Sequence, residues 1–173
     1  MSRHRYLVGM RCTGKSTVGR LLAQRLCLPF YDTDDEIEAL TRTSIAEIFD
    51  TQGEPAFRQL ETQVLSQLSR LPEAVIATGG GIVLLPDNRR VLKTTGTVIW
   101  LRADPKILWQ RMQADPVTRK RRPPLQGGGE QELVQLHEIR RPIYEELADL
   151  IFDSGISSPA AIVEDIILRC RMA

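Results

Sequence analysis

The chain has 173 residues, a length that suits one domain, and a 42% hydrophobic content that fills an ordinary core. Lys and Arg total 23 against 22 Asp and Glu, and the resulting net charge of +1 argues against a dedicated nucleic-acid binder. The three cysteines, Cys12, Cys27 and Cys170, fit neither a disulfide framework nor a zinc site, and no apolar run nears the roughly 18 residues of a membrane span, so a reduced, cytoplasmic protein is expected.

Residues 6–9, YLVG, read as a buried strand, and STVGRLLAQRL (16–26) reads as a helix. Between them GMRCTGKST contains G-x-x-x-x-G-K-S as Gly9, Gly14, Lys15 and Ser16. A strand before and a helix after is the setting of a phosphate loop. Backbone N–H groups of such a loop point at phosphate oxygens, the lysine neutralises the β- and γ-phosphates, and the Ser16 hydroxyl can ligate Mg²⁺. Neither N-K-x-D nor a D-x-x-G after a strand is present, which argues against a GTPase.

PFYD (29–32) is a second strand, and DTDDE follows its start. Asp32 and Asp34 suit a pair in which one carboxylate sits near a metal and the other meets a substrate hydroxyl. The same residues also suit an acidic helix start, and Asp35 and Glu36 read that way. Ser44 and Glu47 have capping-box spacing and start a short helix. A further helix over 54–69 puts Phe57, Leu60, Val64, Leu65 and Leu68 on one face. Arg58 and Glu61 lie one turn apart there. They form either a solvated ion pair or an arginine fork held for a carboxylate.

AVIAT (74–78) is strand three, and Gly79, Gly80 and Gly81 follow it, suggesting close approach of backbone to a ligand. A helix over 86–93 leads to strand four, TVIWL (97–101). Asp104 and Pro105 cap a helix to Ala114. A Pro/Gly-rich loop then carries Arg119, Lys120, Arg121 and Arg122. A long helix over 130–148 includes Arg140 and Arg141, which point about 100° apart and do not easily serve one site. LIFD (150–153) is strand five, and Ser158 and Pro159 open the last helix. His4 and His137 suit surface or structural roles, and Trp100 and Trp109 core or groove positions. Five apolar strands separated by helices imply a parallel sheet covered on both faces, with ligands at the carboxyl ends of the strands.

These motifs together resemble the shikimate kinase family. GKST (14–17), DTD (32–34), FRQLE (57–61), TGGGI (78–82), RPPL (122–125) and RRPIYEELA (140–148) stand in the family's order and spacing and span residues 9 to 159. The resemblance implies a nucleoside-monophosphate-kinase-like P-loop fold: three α/β/α layers, a five-stranded parallel sheet and a mobile lid. It also implies one domain over 1–173, with a substrate-binding insertion at about 33–61 and a lid at about 115–127.

The implied reaction transfers the ATP γ-phosphoryl group to the 3-hydroxyl of shikimate, in the route to chorismate and aromatic amino acids. ATP is the co-substrate and Mg²⁺ the cofactor, with Ser16 as metal ligand and Asp32 near the metal through water. Cys12, Thr13, Gly14, Lys15, Ser16 and Thr17 would line the ATP phosphates. Arg111 would lie against adenine, and Arg122 in the lid would reach the phosphates. Lys15, Asp34 and Arg122 form the implied catalytic set. Asp34 meets the reacting hydroxyl, and Arg58, Gly79, Gly80, Gly81 and Arg140 take up the rest of the substrate. The flanking lid charges are expected to be solvated and steering. A monomer with no nucleic-acid or membrane partner is expected.

Two departures stand out: Cys12 replaces a usual glycine, and RPPL replaces the commoner RPLL. Cys12 lies near Lys15 and a helix start, a setting that predicts a lowered thiol pKa and the most reactive of the three cysteines; an inert, packed side chain is the alternative. Gluconate kinase, a similar P-loop kinase, is the competing activity; non-catalytic binding and nucleic-acid binding through RKRR are the other readings.

Overall fold

The computed structural model describes residues 4–115 and 129–172. The basic run 119–122, and the expected lid beyond Asp115, lie outside the described residues.

In chain order the elements are β1 (His4–Val8), α1 (Lys15–Leu26), β2 (Phe30–Asp32), α2 (Thr33–Thr41), α3 (Ile45–Leu68), β3 (Val75–Ala77), a 3-10 turn (Ile82–Leu84), α4 (Pro86–Thr95), β4 (Gly96–Arg102), α5 (Pro105–Ala114), α6 (Glu130–Leu147), β5 (Leu150–Asp153) and α7 (Pro159–Met172). The strands form one sheet in the order β2-β3-β1-β4-β5, and every pairing is parallel. All five carboxyl ends therefore emerge on one edge.

The period-two alternation of each strand feeds two cores. Tyr6, Val8, Ile76, Val98 and Trp100 pack with Ile37, Phe57, Leu65, Leu92 and Tyr144 from α2, α3, α4 and α6. Leu7, Val75, Ile99, Leu101 and Phe152 pack against Val18 and Leu22 of α1 and Ile162, Val163 and Ile166 of α7. Helices thus cover both faces, the three-layer arrangement that a purely parallel sheet requires.

Local chemistry sets the boundaries. The β1 strand begins at His4 rather than Tyr6, because His4 pairs with Gly96 and Arg5 with both Val75 and Thr97. Ser44 caps α3, its Oγ accepting from the Glu47 amide at 3.2 Å. The expected short helix and the helix over 54–69 are one element, broken at Gly53, whose φ of 78° and ψ of 175° are open mainly to glycine. Pro55 follows within the helix; it lacks an N–H and so suits the restarted turn. Asp104 caps α5, accepting from the Lys106 amide at 2.8 Å.

Candidate active site

The first strand end turns into the phosphate loop. Gly9 has φ of 143°, and a Cβ there would collide with the Leu101 carbonyl oxygen. Gly14, at the N-cap of α1, has φ of 87°. Gly9 needs glycine for both space and conformation, and Gly14 for conformation alone. The Lys15 ammonium donates to the carbonyls of Gly9 at 2.9 Å and Met10 at 2.7 Å, folding back over its own loop. Buried Thr13 donates to the Met10 carbonyl at 2.8 Å and stiffens the turn.

Asp32 ends β2 and caps α2, accepting from the Asp34 amide at 3.0 Å. Its other oxygen accepts from Ser16 Oγ at 2.6 Å, which joins the second strand end to the phosphate loop. Asp32 is therefore a helix cap that also contacts the phosphate loop, an arrangement compatible with either reading of the acidic stretch. Burial first, and then the neighbouring Asp34, push the Asp32 carboxyl above the usual carboxylate range, against the opposing Ser16 hydrogen bond. Asp35 turns away, exposed and 3.6 Å from Arg20.

The third strand end carries the glycine loop, with Gly79, Gly80 and Gly81 all buried. Two arginines close on it. A Cβ built on Gly81 would overlap the Arg58 guanidinium, and one on Gly80 would sit 3.4 Å from Arg140 Nη1. Arg58 is not a solvated partner: its Nη1 meets Glu61 Oε2 at 2.5 Å, and Glu61 is 0% exposed. Glu54 holds the other edge, accepting from Arg58 Nη2 at 2.6 Å and Nε at 3.1 Å. Burial works against the Arg58 charge, but Glu61 and Glu54 more than offset it, so the pKa is raised. Arg140 is buried on α6, whereas Arg141 is exposed with Glu145 3.7 Å away. The two point apart on α6, as a step of about 100° per residue requires.

On the opposite side of the phosphate loop lies a cavity of about 460 Å³, lined by residues 12–18, Arg111, Asp115, Ser154, Ser157, Pro159 and Ile162. Arg111 spans its wall, donating to the carbonyls of Cys12 at 3.2 Å and Ser154 at 2.6 Å. Its guanidinium plane is held at both ends, which suits stacking against a flat ring.

The Cys12 expectation is corrected. The residue sits in the left-handed region, φ 62°, and its thiol pKa is raised rather than lowered. Burial outweighs Lys15, Arg11 and Arg111, so the electropositive setting is real but loses to desolvation. Cys27 is the exposed thiol. His4 is buried, with Nε2 3.3 Å from the Ser69 carbonyl, and burial together with Arg141 lowers the His137 pKa; neither belongs to the site. Trp100 is core, stacked on Tyr144 with ring centroids 5.6 Å apart. Arg122 lies outside the described residues.

Sequence reasoning missed Glu54, although it stands four residues before Arg58, a spacing that pairs charges on a helix. It also left three buried polar side chains around the glycine loop without a role: Thr33, Asn88 and Tyr144.

Comparison with known proteins completes the picture. The family model described as "Shikimate kinase" matches residues 11–171. A shikimate kinase of Burkholderia lata is 43% identical over 97% of this chain and 90% of its own length. One from Thiobacillus denitrificans is 46% identical, covering 91% of this chain and 84% of its own. Among solved structures, the Acinetobacter baumannii shikimate kinase in complex with shikimate superposes with a TM-score of 0.92 at 37% identity, covering 99% of this chain and 94% of that one.

Proposed function

The chain belongs to the shikimate kinase family, and from that premise we propose that it transfers the ATP γ-phosphoryl group to the 3-hydroxyl of shikimate, giving shikimate 3-phosphate and ADP. The observation that carries the proposal is a convergence on one sheet edge. A phosphate loop, an acidic stretch, a glycine loop, an arginine clasped by two glutamates and a second, buried arginine meet there. An acceptor with both a carboxylate and a hydroxyl matches that set: forked cations for the carboxylate, and Asp34 for the hydroxyl.

In this reading the phosphate-loop amides and Lys15 bind the β- and γ-phosphates. Lys15 exchanges its contacts with the Gly9 and Met10 carbonyls for phosphate oxygens. Residues 12–17 line the phosphates, and Arg111 lies against adenine. Arg58, Arg140 and Gly80 hold the shikimate carboxylate, flanked by Gly79 and Gly81. Asp34 accepts a hydrogen bond from the attacking hydroxyl and then its proton. Arg122, with Lys15, neutralises charge on the transferring group.

The residues fit Mg²⁺. A half-buried carboxylate with a raised pKa beside a hydroxyl, 2.6 Å apart, is relieved by a cation. A Mg²⁺ site keeps several waters and needs only one or two protein oxygens, so Ser16 and Asp32 suffice without a larger acidic cluster. When bound, the ion neutralises charge between the β- and γ-phosphates. We assign 33–61 to acceptor binding, 115–127 to a lid that excludes water, and the whole chain to one monomeric, cytoplasmic enzyme. No helix among the described residues is long and apolar enough to cross a membrane.

An acceptor panel tests the proposal. ADP release from MgATP is measured with shikimate, with gluconate and with neither. Release confined to shikimate supports the reading; release with gluconate instead, or without any acceptor, overturns it.

A further inference from the structure

Three segments of the acceptor side meet through two hydrogen bonds between uncharged groups. Thr33, between Asp32 and Asp34, accepts from the Gly79 amide through Oγ1 at 2.9 Å. Tyr144, one helical turn after Arg140, donates to the Gly80 carbonyl at 2.6 Å. Both side chains are essentially inaccessible, at 0% and 1% exposure. The Tyr144 ring is itself immobilised against Trp100, with an interplanar angle of 22°.

We propose that Thr33 and Tyr144 are positioning residues that set the spacing between the hydroxyl-binding and carboxylate-binding ends of the acceptor site. This rests on the shikimate reading above. Each hydroxyl belongs to the same short segment as one charged residue: Thr33 adjoins Asp34, and Tyr144 follows Arg140 on α6. Each is tied to an adjacent glycine of the same loop. A belt therefore runs from Asp34 through Thr33, Gly79, Gly80 and Tyr144 to Arg140. The Tyr144 bond also fixes the peptide plane between Gly80 and Gly81, and so the direction of the Gly81 amide. A buried amide or carbonyl deprived of its partner must turn to find another, and turning this loop moves the groups that face the substrate. The two arginines supply charge, and the two hydroxyls hold that charge at the right distance from Asp34.

The test compares Thr33→Val, Thr33→Ser and Tyr144→Phe with Tyr6→Phe. The last removes a buried tyrosine hydroxyl bonded to Thr95 Oγ1 at 2.8 Å, at the far end of the sheet. Thr33→Val and Tyr144→Phe are expected to raise the shikimate KM roughly 5- to 50-fold while leaving the ATP KM near wild type. Thr33→Ser should restore the acceptor KM, and Tyr6→Phe should lose stability with no kinetic change. If wild type shows no shikimate-dependent turnover, the functional reading falls and this inference with it. If wild type is active but Tyr144→Phe and Thr33→Val keep its shikimate KM, or raise both KM values equally, the inference alone is overturned. Amide hydrogen exchange in the wild-type protein gives a reading independent of variant folding. Slow exchange at Gly79 supports the belt, and exchange at the rate of an open loop refutes it.

Discussion

Replacing Gly81 by alanine isolates the contact between the glycine loop and Arg58. The Gly81 backbone, φ −93° and ψ −3°, is open to any residue, so the cost of the substitution is spatial. The new Cβ would lie 2.5 Å from Arg58 Cζ and 2.6 Å from Nη2, against an ordinary contact of 3.4–4 Å. The guanidinium must retreat by about 1 Å, and it has little freedom to do so. Glu61 Oε2 grips Nη1 at 2.5 Å, and Glu54 Oε1 grips Nη2 at 2.6 Å. A misplacement of about 1 Å costs up to roughly 100-fold, and outright loss of a charge-assisted bond about 1.5–3 kcal/mol, or roughly 10- to 150-fold. Gly81→Ala should therefore raise the shikimate KM about 10- to 100-fold and leave the ATP KM within about twofold. Coupled ADP-release assays with each substrate varied in turn measure both. In an Arg58→Ala background the same substitution should add little, because its effect runs through that side chain. A wild-type shikimate KM in Gly81→Ala, or an equal loss in both backgrounds, would refute the reasoning.

Other outcomes follow from the same geometry. Lys15→Met should lower kcat by on the order of 100-fold or more, with the thermal transition retained, since the lysine stabilises charge rather than packing; near-wild-type turnover contradicts this. Asp32→Asn should abolish turnover but raise the melting temperature of the metal-free protein at neutral pH. The Asp32 pKa is raised on folding, so its contribution to stability is full below the unfolded carboxylate range and is lost as pH rises through the folded value. Asparagine keeps the helix cap without that loss, and melting curves from acid to neutral pH should show the gap between the proteins widening. Limited iodoacetamide treatment followed by peptide mapping should label Cys27 before Cys12, because the Cys12 thiol is half-buried with a raised pKa. Labelling at Cys12 first contradicts the burial argument.

Strands, helices and the edge that the carboxyl ends of the strands share were legible because they depend on local pattern. Five apolar runs separated by helical periods leave a parallel sheet as the economical solution, and the residues after each run then fall on one edge. The α2 helix was only half visible: DTDDE announced an acidic helix start, but Asp32 also faces Ser16, sixteen positions earlier, and no local pattern contains that contact. The break at Gly53 was foreshadowed by separate readings on either side of it, though not the continuity of α3 across it. The clasp on Arg58 was half legible, with Glu61 seen and Glu54 overlooked. Cys12 shows the opposite limit: neighbours in sequence identified the cations correctly, but desolvation depends on what packs around the loop, and it reversed the sign. Thr33 and Tyr144 were invisible because a hydroxyl becomes informative only when its distant partner is known.

In the proposed reaction a forked pair of cations reads the acceptor carboxylate while the phosphate loop presents ATP. The most direct measurement is the initial rate of ADP release from MgATP with shikimate, set against the rate with shikimate methyl ester, which keeps the hydroxyls but lacks the charged carboxylate. Saturable release with shikimate is expected, with one ADP per shikimate 3-phosphate and a kcat/KM for the ester lower by at least about 10-fold. Equal rates for acid and ester, or release that depends on neither, would contradict it.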